Sequence, residues 1–136
     1  MKILTTKSLN SEILLAHAGP LTKEDKIDRD GMIQYCIDNR LQWLALPQIG
    51  INKAGFVAYF YGKRNIVTNP VMGKRTELEM EWPEGCASIP WEKFMVKRKH
   101  TIVAKYNGEY HFLTYPHSIV FQHEYDHLNG ILLNSK

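Results

Sequence analysis

The chain has 136 residues, of which 44% are apolar, values that suit one globular domain around one core. Its net charge of +3 is too mild to argue for nucleic acid. Met1 to Lys7 holds no apolar run long enough for a signal peptide, and Ile13-Leu14-Leu15-Ala16 is too short to span a membrane.

Thr22-Lys23-Glu24-Asp25 reads as a helix start, with Thr22 as N-cap and acidic residues in the first turn. Ile27, Met32, Tyr35 and Cys36 give that helix an apolar face to about Arg40, although Gly31 weakens it. Leu44-Ala45-Leu46 is a short buried strand, stopped by Pro47 and Gly50. Gly55 to Tyr61 and Asn65 to Thr68 are rich in strand formers. Thr76 to Trp82 alternates Glu77, Glu79 and Glu81 with other residues, as a half-exposed strand does. Pro83 to Pro90 reads as a rigid loop, and Phe94 to Tyr106 as one long extended run. Asn107-Gly108 is a tight hairpin turn into Glu109 to Leu113. Pro116 lies near the start of a last helix, where no intrahelical bond is lost, and Gly130 ends it. The expected fold is α+β: antiparallel strands around a C-terminal helix, in one domain over residues 1–136.

That last helix carries Gln122-His123-Glu124-Tyr125-Asp126-His127. His-Glu-x-x-His puts two imidazoles one turn apart on the same face, with a carboxylate beside them: a divalent-metal site with a general base. Such a site needs a third protein ligand and one position left for water. Leu128 to Lys136 contains no His, Glu, Asp or Cys, and Leu133 stands where the longer H-E-x-x-H-x-x-G-x-x-H pattern needs its third histidine. The third ligand therefore comes from earlier in the chain.

His17 lies in a polar stretch, and His100 and His111 flank a hairpin, which suits surface and sheet-face roles. His117 precedes His123 by about 1.7 turns of helix and would point away from it. Cys36 falls among apolar helical residues and reads as an inert buried thiol. Without an export signal a reducing compartment is expected, so a disulfide between Cys36 and Cys86 is not. Cys86 sits between a glycine and small residues, bounded by prolines, and is preferred as third ligand: a thiolate with two imidazoles leaves a fourth position free.

These segments resemble the peptide deformylases, hydrolases that remove the formyl group from nascent N-formylmethionyl peptides. The family's G-x-G-L-A-A-x-Q is similar to Leu41-Gln42-Trp43-Leu44-Ala45-Leu46-Pro47-Gln48, its E-G-C-L-S to Glu84-Gly85-Cys86-Ala87-Ser88, and its Q-H-E-x-D-H-L-x-G to Gln122 through Gly130. Order and spacing agree from about Asp30 to Gly130. The chain stops without the C-terminal extension of many bacterial members, so it resembles the short, phage-like forms, expected in the cytoplasm of a bacterial or phage-infected cell.

The resemblance implies one divalent metal ion on Cys86, His123 and His127, natively Fe²⁺ and replaceable by Zn²⁺ or Ni²⁺. It implies Glu124 as the base that deprotonates water, with Gln48 and the backbone N–H of Ala87 as oxyanion donors. It implies an apolar methionine pocket, for which Trp43, Trp82, Ile119 and Val120 are the candidates against plain core packing, with Leu44, Glu84 and Gly85 as further substrate-binding residues and Arg98 as a partner for Glu84. N-formylmethionyl peptides are the expected partners of a monomer, with transient ribosome contact through Lys93, Lys97, Arg98 and Lys99 weighed against a plain solvated strand face, and no membrane contact. Two departures stand out: Leu41 and Trp43 replace both glycines of the first motif, and Leu46 replaces its second alanine. The alternatives at this point are a small zinc peptidase, against which the missing downstream ligand counts, and a binding protein of little or no activity on the same scaffold.

Overall fold

The structure, a computed structural model, describes residues 2–9 and 11–135. Its elements in chain order are α1 (Arg29–Asp38), β1 (Trp43–Ala45), β2 (Gly55–Phe60), β3 (Lys63–Thr68), β4 (Val71–Arg75), β5 (Glu79–Cys86), β6 (Ile89–Lys99), β7 (Thr101–Tyr106), β8 (Glu109–Thr114) and α2 (His117–Leu128). Short 3₁₀ turns cover Ser11–Leu15, Leu46–Ile49 and Leu133–Ser135. The strands form three antiparallel sheets among the described residues, ordered β1-β2-β3, β4-β7-β8 and β5-β6. The α+β expectation holds.

The inner face of β1-β2-β3 supplies Ala45, Phe56, Ala58, Phe60 and Val67 to the main core, and β7 and β8 supply Ile102, Ala104, Tyr106 and Leu113. Helix α2 packs against β1, β2, β6 and β8. It is buried on most of its circumference, through Ser118, Ile119, Phe121, Gln122, His123, Glu124, His127 and Leu128. Phe121 is the central side chain, meeting Phe56 edge-on at 5.5 Å and Tyr106 at 5.7 Å between ring centres. A helix this enclosed can hold polar side chains only where partners wait for them. Gln122 illustrates the rule: its Nε2 donates to the carbonyl of Lys99 at 2.7 Å, and its Oε1 accepts from the N–H of the same residue at 3.0 Å.

Four elements differ from the sequence expectation. Helix α1 begins at Arg29, not Thr22, because Thr22 and Asp25 close a turn on themselves and Asp28 takes the cap, accepting from the N–H of Gly31 at 3.0 Å. The run from Phe94 to Tyr106 is two strands broken at His100, whose carbonyl accepts from Ser118 Oγ at 2.6 Å. Pro83 to Pro90 is not a loop: β5 runs through Pro83, opposite Met95, to Cys86, and β6 returns from Ile89. Proline is tolerated there because β5 is the edge of a two-stranded ribbon. The strand expected over Thr76 to Trp82 starts at Glu79 instead, and Thr76 bonds to Thr101.

Two turns behave as expected. Asn107 and Gly108 both have positive φ, 53° and 80°, the combination a tight hairpin turn requires. Gly130 ends α2 at φ 71°, and a Cβ there would collide with the carbonyl of Leu15. The glycine thus lets the chain turn off the helix directly beneath the N-terminal segment.

Candidate metal centre

Helix α2 sets His123 and His127 one turn apart on its inner face, ring centres 5.1 Å from each other. The last residue of β5, Cys86, brings its sulfur to 3.2 Å from His127 Nε2. Cys86, His123 and His127 each offer a ligand atom, and these atoms lie within 4.8 Å of one another. His123 Nδ1 bonds Glu84 Oε1 at 2.7 Å, and its Nε2 is buried with no hydrogen-bond partner among the described residues. Burial pushes the Cys86 thiol up to about 11, with Glu124 adding to the rise and N–H groups of Ser88 and Ile89 opposing it. A buried thiolate between two imidazoles needs a positive charge, which a divalent cation supplies. The donor set fits such an ion. No other cluster of this kind occurs among the described residues.

Glu124 is fully buried beside the ligands, its Oε1 3.7 Å from His123 Nε2, and neither of its oxygens has a hydrogen-bond partner among the described residues. Burial drives its carboxyl well above the usual range; Arg98 opposes the rise, and Glu84 and Asp126 add to it. An unpartnered carboxylate with an elevated pKa suits a group that takes and returns a proton. Glu84 is the contrast. Burial alone would raise it, but hydrogen bonds from Arg98 and His123 and the charge of Arg98 hold it at about 2. Arg98 forks onto Glu84 through Nε and Nη2, both at 2.8 Å, and reaches Asp126 through Nη1 at 2.6 Å. The chain Asp126–Arg98–Glu84–His123 thus fixes one ligand from behind.

Gln48 is buried at the end of the turn that follows β1. Its Oε1 accepts from the N–H of Ala45 at 2.9 Å, which leaves Nε2 aimed at Ser88 Oγ (3.3 Å) and Cys86 Sγ (3.6 Å). The side chain both caps its turn and presents a donor to the metal side. Ala87 follows the ligand and lines the same cleft as Gln48.

Beside the centre lies a cavity of about 340 Å³, lined by Trp43, Trp82, Glu84, Gly85, Ile119, Val120 and His123. Six of the seven expected substrate-binding residues, the four pocket candidates among them, therefore line it. Leu44 does not: alternation along β1 turns its side chain away, into a core cluster with Met32, Cys36, Leu46 and Val57. Cys36 is accordingly a buried core thiol, as expected. His17 is exposed. His117 is not part of the ligand cluster, as expected; its ring lies tilted against Tyr61 with centres 3.9 Å apart, and it also lines the cavity. Sequence reasoning missed Tyr59, Gln42 and Pro83 as cavity walls, and gave Asp126 no role beyond its place in the motif. Only the motif spacing hinted at Asp126, and nothing marked Tyr59.

Three residues that could hold a metal ion, shared between α2 and the end of β5, with a buried glutamate beside them, fit the class of metal-dependent hydrolases. The family model for polypeptide deformylases matches residues 3–136, and the chain belongs to that family. The peptide deformylase of Fusobacterium nucleatum is 36% identical over 117 residues, a match covering 79% of this chain and 65% of the relative. The solved peptide deformylase of Thermotoga maritima superposes with a TM-score of 0.87 at 31% identity, over 99% of this chain and 95% of that one. That of Thermus thermophilus gives 0.87 at 32% identity, over 98% and 83%. No helix among the described residues is long and apolar enough to cross a membrane.

Proposed function

We propose that the protein removes the formyl group from N-formylmethionyl peptides and releases formate, with residues 1–136 acting as one catalytic domain. The observation that carries this reading is Glu124, buried with no hydrogen-bond partner among the described residues and within reach of the Cys86–His123–His127 cluster. When bound there, a divalent cation supplies Lewis acidity toward the formyl oxygen and makes water more acidic.

The chain's own residues do the rest. Glu124 accepts the proton of the attacking water and hands a proton to the departing amine as the formyl C–N bond breaks. Gln48 Nε2 and the Ala87 N–H donate to the oxygen on which negative charge develops. The methionine side chain occupies the 340 Å³ cavity between Trp43, Trp82, Ile119 and Val120. The native ion is Fe²⁺, for which one thiolate and two imidazoles are acceptable ligands, and Zn²⁺ or Ni²⁺ substitutes in the same donor set. Of the four cations weighed for transient ribosome contact, Lys93 and Lys97 are exposed on β6, whereas Arg98 is buried on Glu84 and Asp126 and Lys99 pairs with Glu79, which favours a plain solvated strand face over contact with ribosomal RNA.

The test is formate release from a formyl-Met dipeptide by anaerobically purified protein. Turnover with formate as product is expected. Cleavage of internal peptide bonds without formate would overturn the reading in favour of a peptidase, and no turnover with any metal would favour a binding protein.

A further inference from the structure

The indole of Trp43 stands between two cavities. On one side is the 340 Å³ cavity with Trp82, Ile119, Val120 and His123. On the other is a cleft of about 300 Å³ lined by Arg40, Leu41, Gln48, Cys86, Ala87 and Pro90. Trp43, Gln42 and Gly85 belong to both linings, and each cavity holds a different metal ligand.

The wall is held in place. Trp43 pairs with Ala58 on β2, the carbonyl of Gln42 accepts from the N–H of Tyr59 at 2.9 Å, and the carbonyl of Leu41 accepts from Arg64 Nη2 at 3.3 Å. Leu44 is fully buried immediately after it. The indole packs partly on the main core and reaches 5.8 Å from the His123 ring. A residue anchored on both sides and seated against a ligand is a fixed partition and not a swinging flap.

We propose that Trp43 is a specificity-determining residue: it walls the pocket for the first side chain off from the neighbouring cleft, and so selects methionine over bulkier first residues. The inference rests on the deformylase reading of the site. Removing the indole joins the two cavities beside the ligands. A bulky aromatic first residue then gains room it lacks in the unmodified protein, while methionine loses one wall of its contact. Even one methylene more or less in an apolar pocket is worth about ten- to two-hundred-fold in specificity constant.

The test compares kcat/KM for formyl-Phe and formyl-Met dipeptides in the unmodified protein, Trp43→Ala, Trp43→Leu and Trp43→Phe. The Phe/Met ratio is expected to rise about tenfold or more in Trp43→Ala and Trp43→Leu, and to stay near the unmodified value in Trp43→Phe, with metal content unchanged. Two truncations are used so that a fold defect in one still leaves a decision. A parallel readout is calorimetric binding of the products Met-Ala and Phe-Ala to the nickel-loaded proteins, which needs no turnover. If the unmodified protein releases no formate, the deformylase reading falls while the binding ratio still decides the role of Trp43. A ratio that stays within twofold across the truncated variants, in both turnover and binding, makes Trp43 a packing residue only.

Discussion

The Nδ1 of His123 lies 2.7 Å from Oε1 of Glu84, a carboxylate held at about 2. The bond places the imidazole proton on Nδ1 and leaves Nε2 to the metal side. Glu84→Gln keeps the shape of the side chain but removes the charge that orients the ring. Metal affinity is expected to fall about ten- to a hundred-fold, the usual cost of losing such a partner. Competition with a chelator measures it, and an unchanged affinity would mean that helix packing alone orients His123.

Metal content should separate the two cysteines. Cys86 faces His127 at 3.2 Å, whereas Cys36 is enclosed by Met32, Leu44, Leu46 and Val57. Cys86→Ala is expected to lose most bound metal and Cys36→Ala to keep it. Equal retention in both variants removes Cys86 from the ligand set.

Glu124→Gln should keep its metal and lose activity by about a hundred- to ten-thousand-fold. The amide nearly matches the carboxylate in size but cannot accept water's proton. Steady-state formate release with metal analysis of the same sample is the measurement. Near-native turnover would place the base elsewhere.

Phe121 is fully buried and bridges Phe56, Phe60 and Tyr106. Phe121→Ala should destabilise the protein by about 3–5 kcal/mol, the usual cost of deleting a core aromatic. Denaturant unfolding gives the number, and a loss under about 1 kcal/mol would show that the surrounding rings collapse into the space.

The sequence spoke clearly where one residue type has one local solution. Asn107-Gly108 had to turn, Gly130 had to end a helix, and His123 and His127 had to share a helical face with Glu124 beside them. It was less legible where a tertiary partner decides. Thr22 is a good cap in isolation, but Asp25 bonds it and also reaches Lys53 at 3.5 Å, so helix α1 starts only at Arg29. Strand β4 went unread because Val71–Arg75 offers little apolar pattern; its partner β7 supplies the order. The prolines around Cys86 suggested a loop, and only pairing with β6 reveals a strand. Within the site, the ligands and the base were visible as types at fixed spacing. Of the cavity walls, Trp43, Trp82, Ile119 and Val120 were legible through the motifs, whereas Tyr59, Gln42 and Pro83 were not, since topology and not sequence distance brings them to the same lining.

Gln122 holds the backbone of Lys99 from both sides, as a neighbouring strand would. The amide proton of Lys99 is therefore protected by a contact between α2 and β6, and its exchange reports on that contact. A separation there carries His123 on the helix away from Glu84, whose clamp Arg98 sits beside Lys99 on the strand. One exchangeable hydrogen thus serves as a clock for the opening of the metal centre. Its rate, followed with and without metal, reads how far the bound ion tightens the joint between the helix and the sheet.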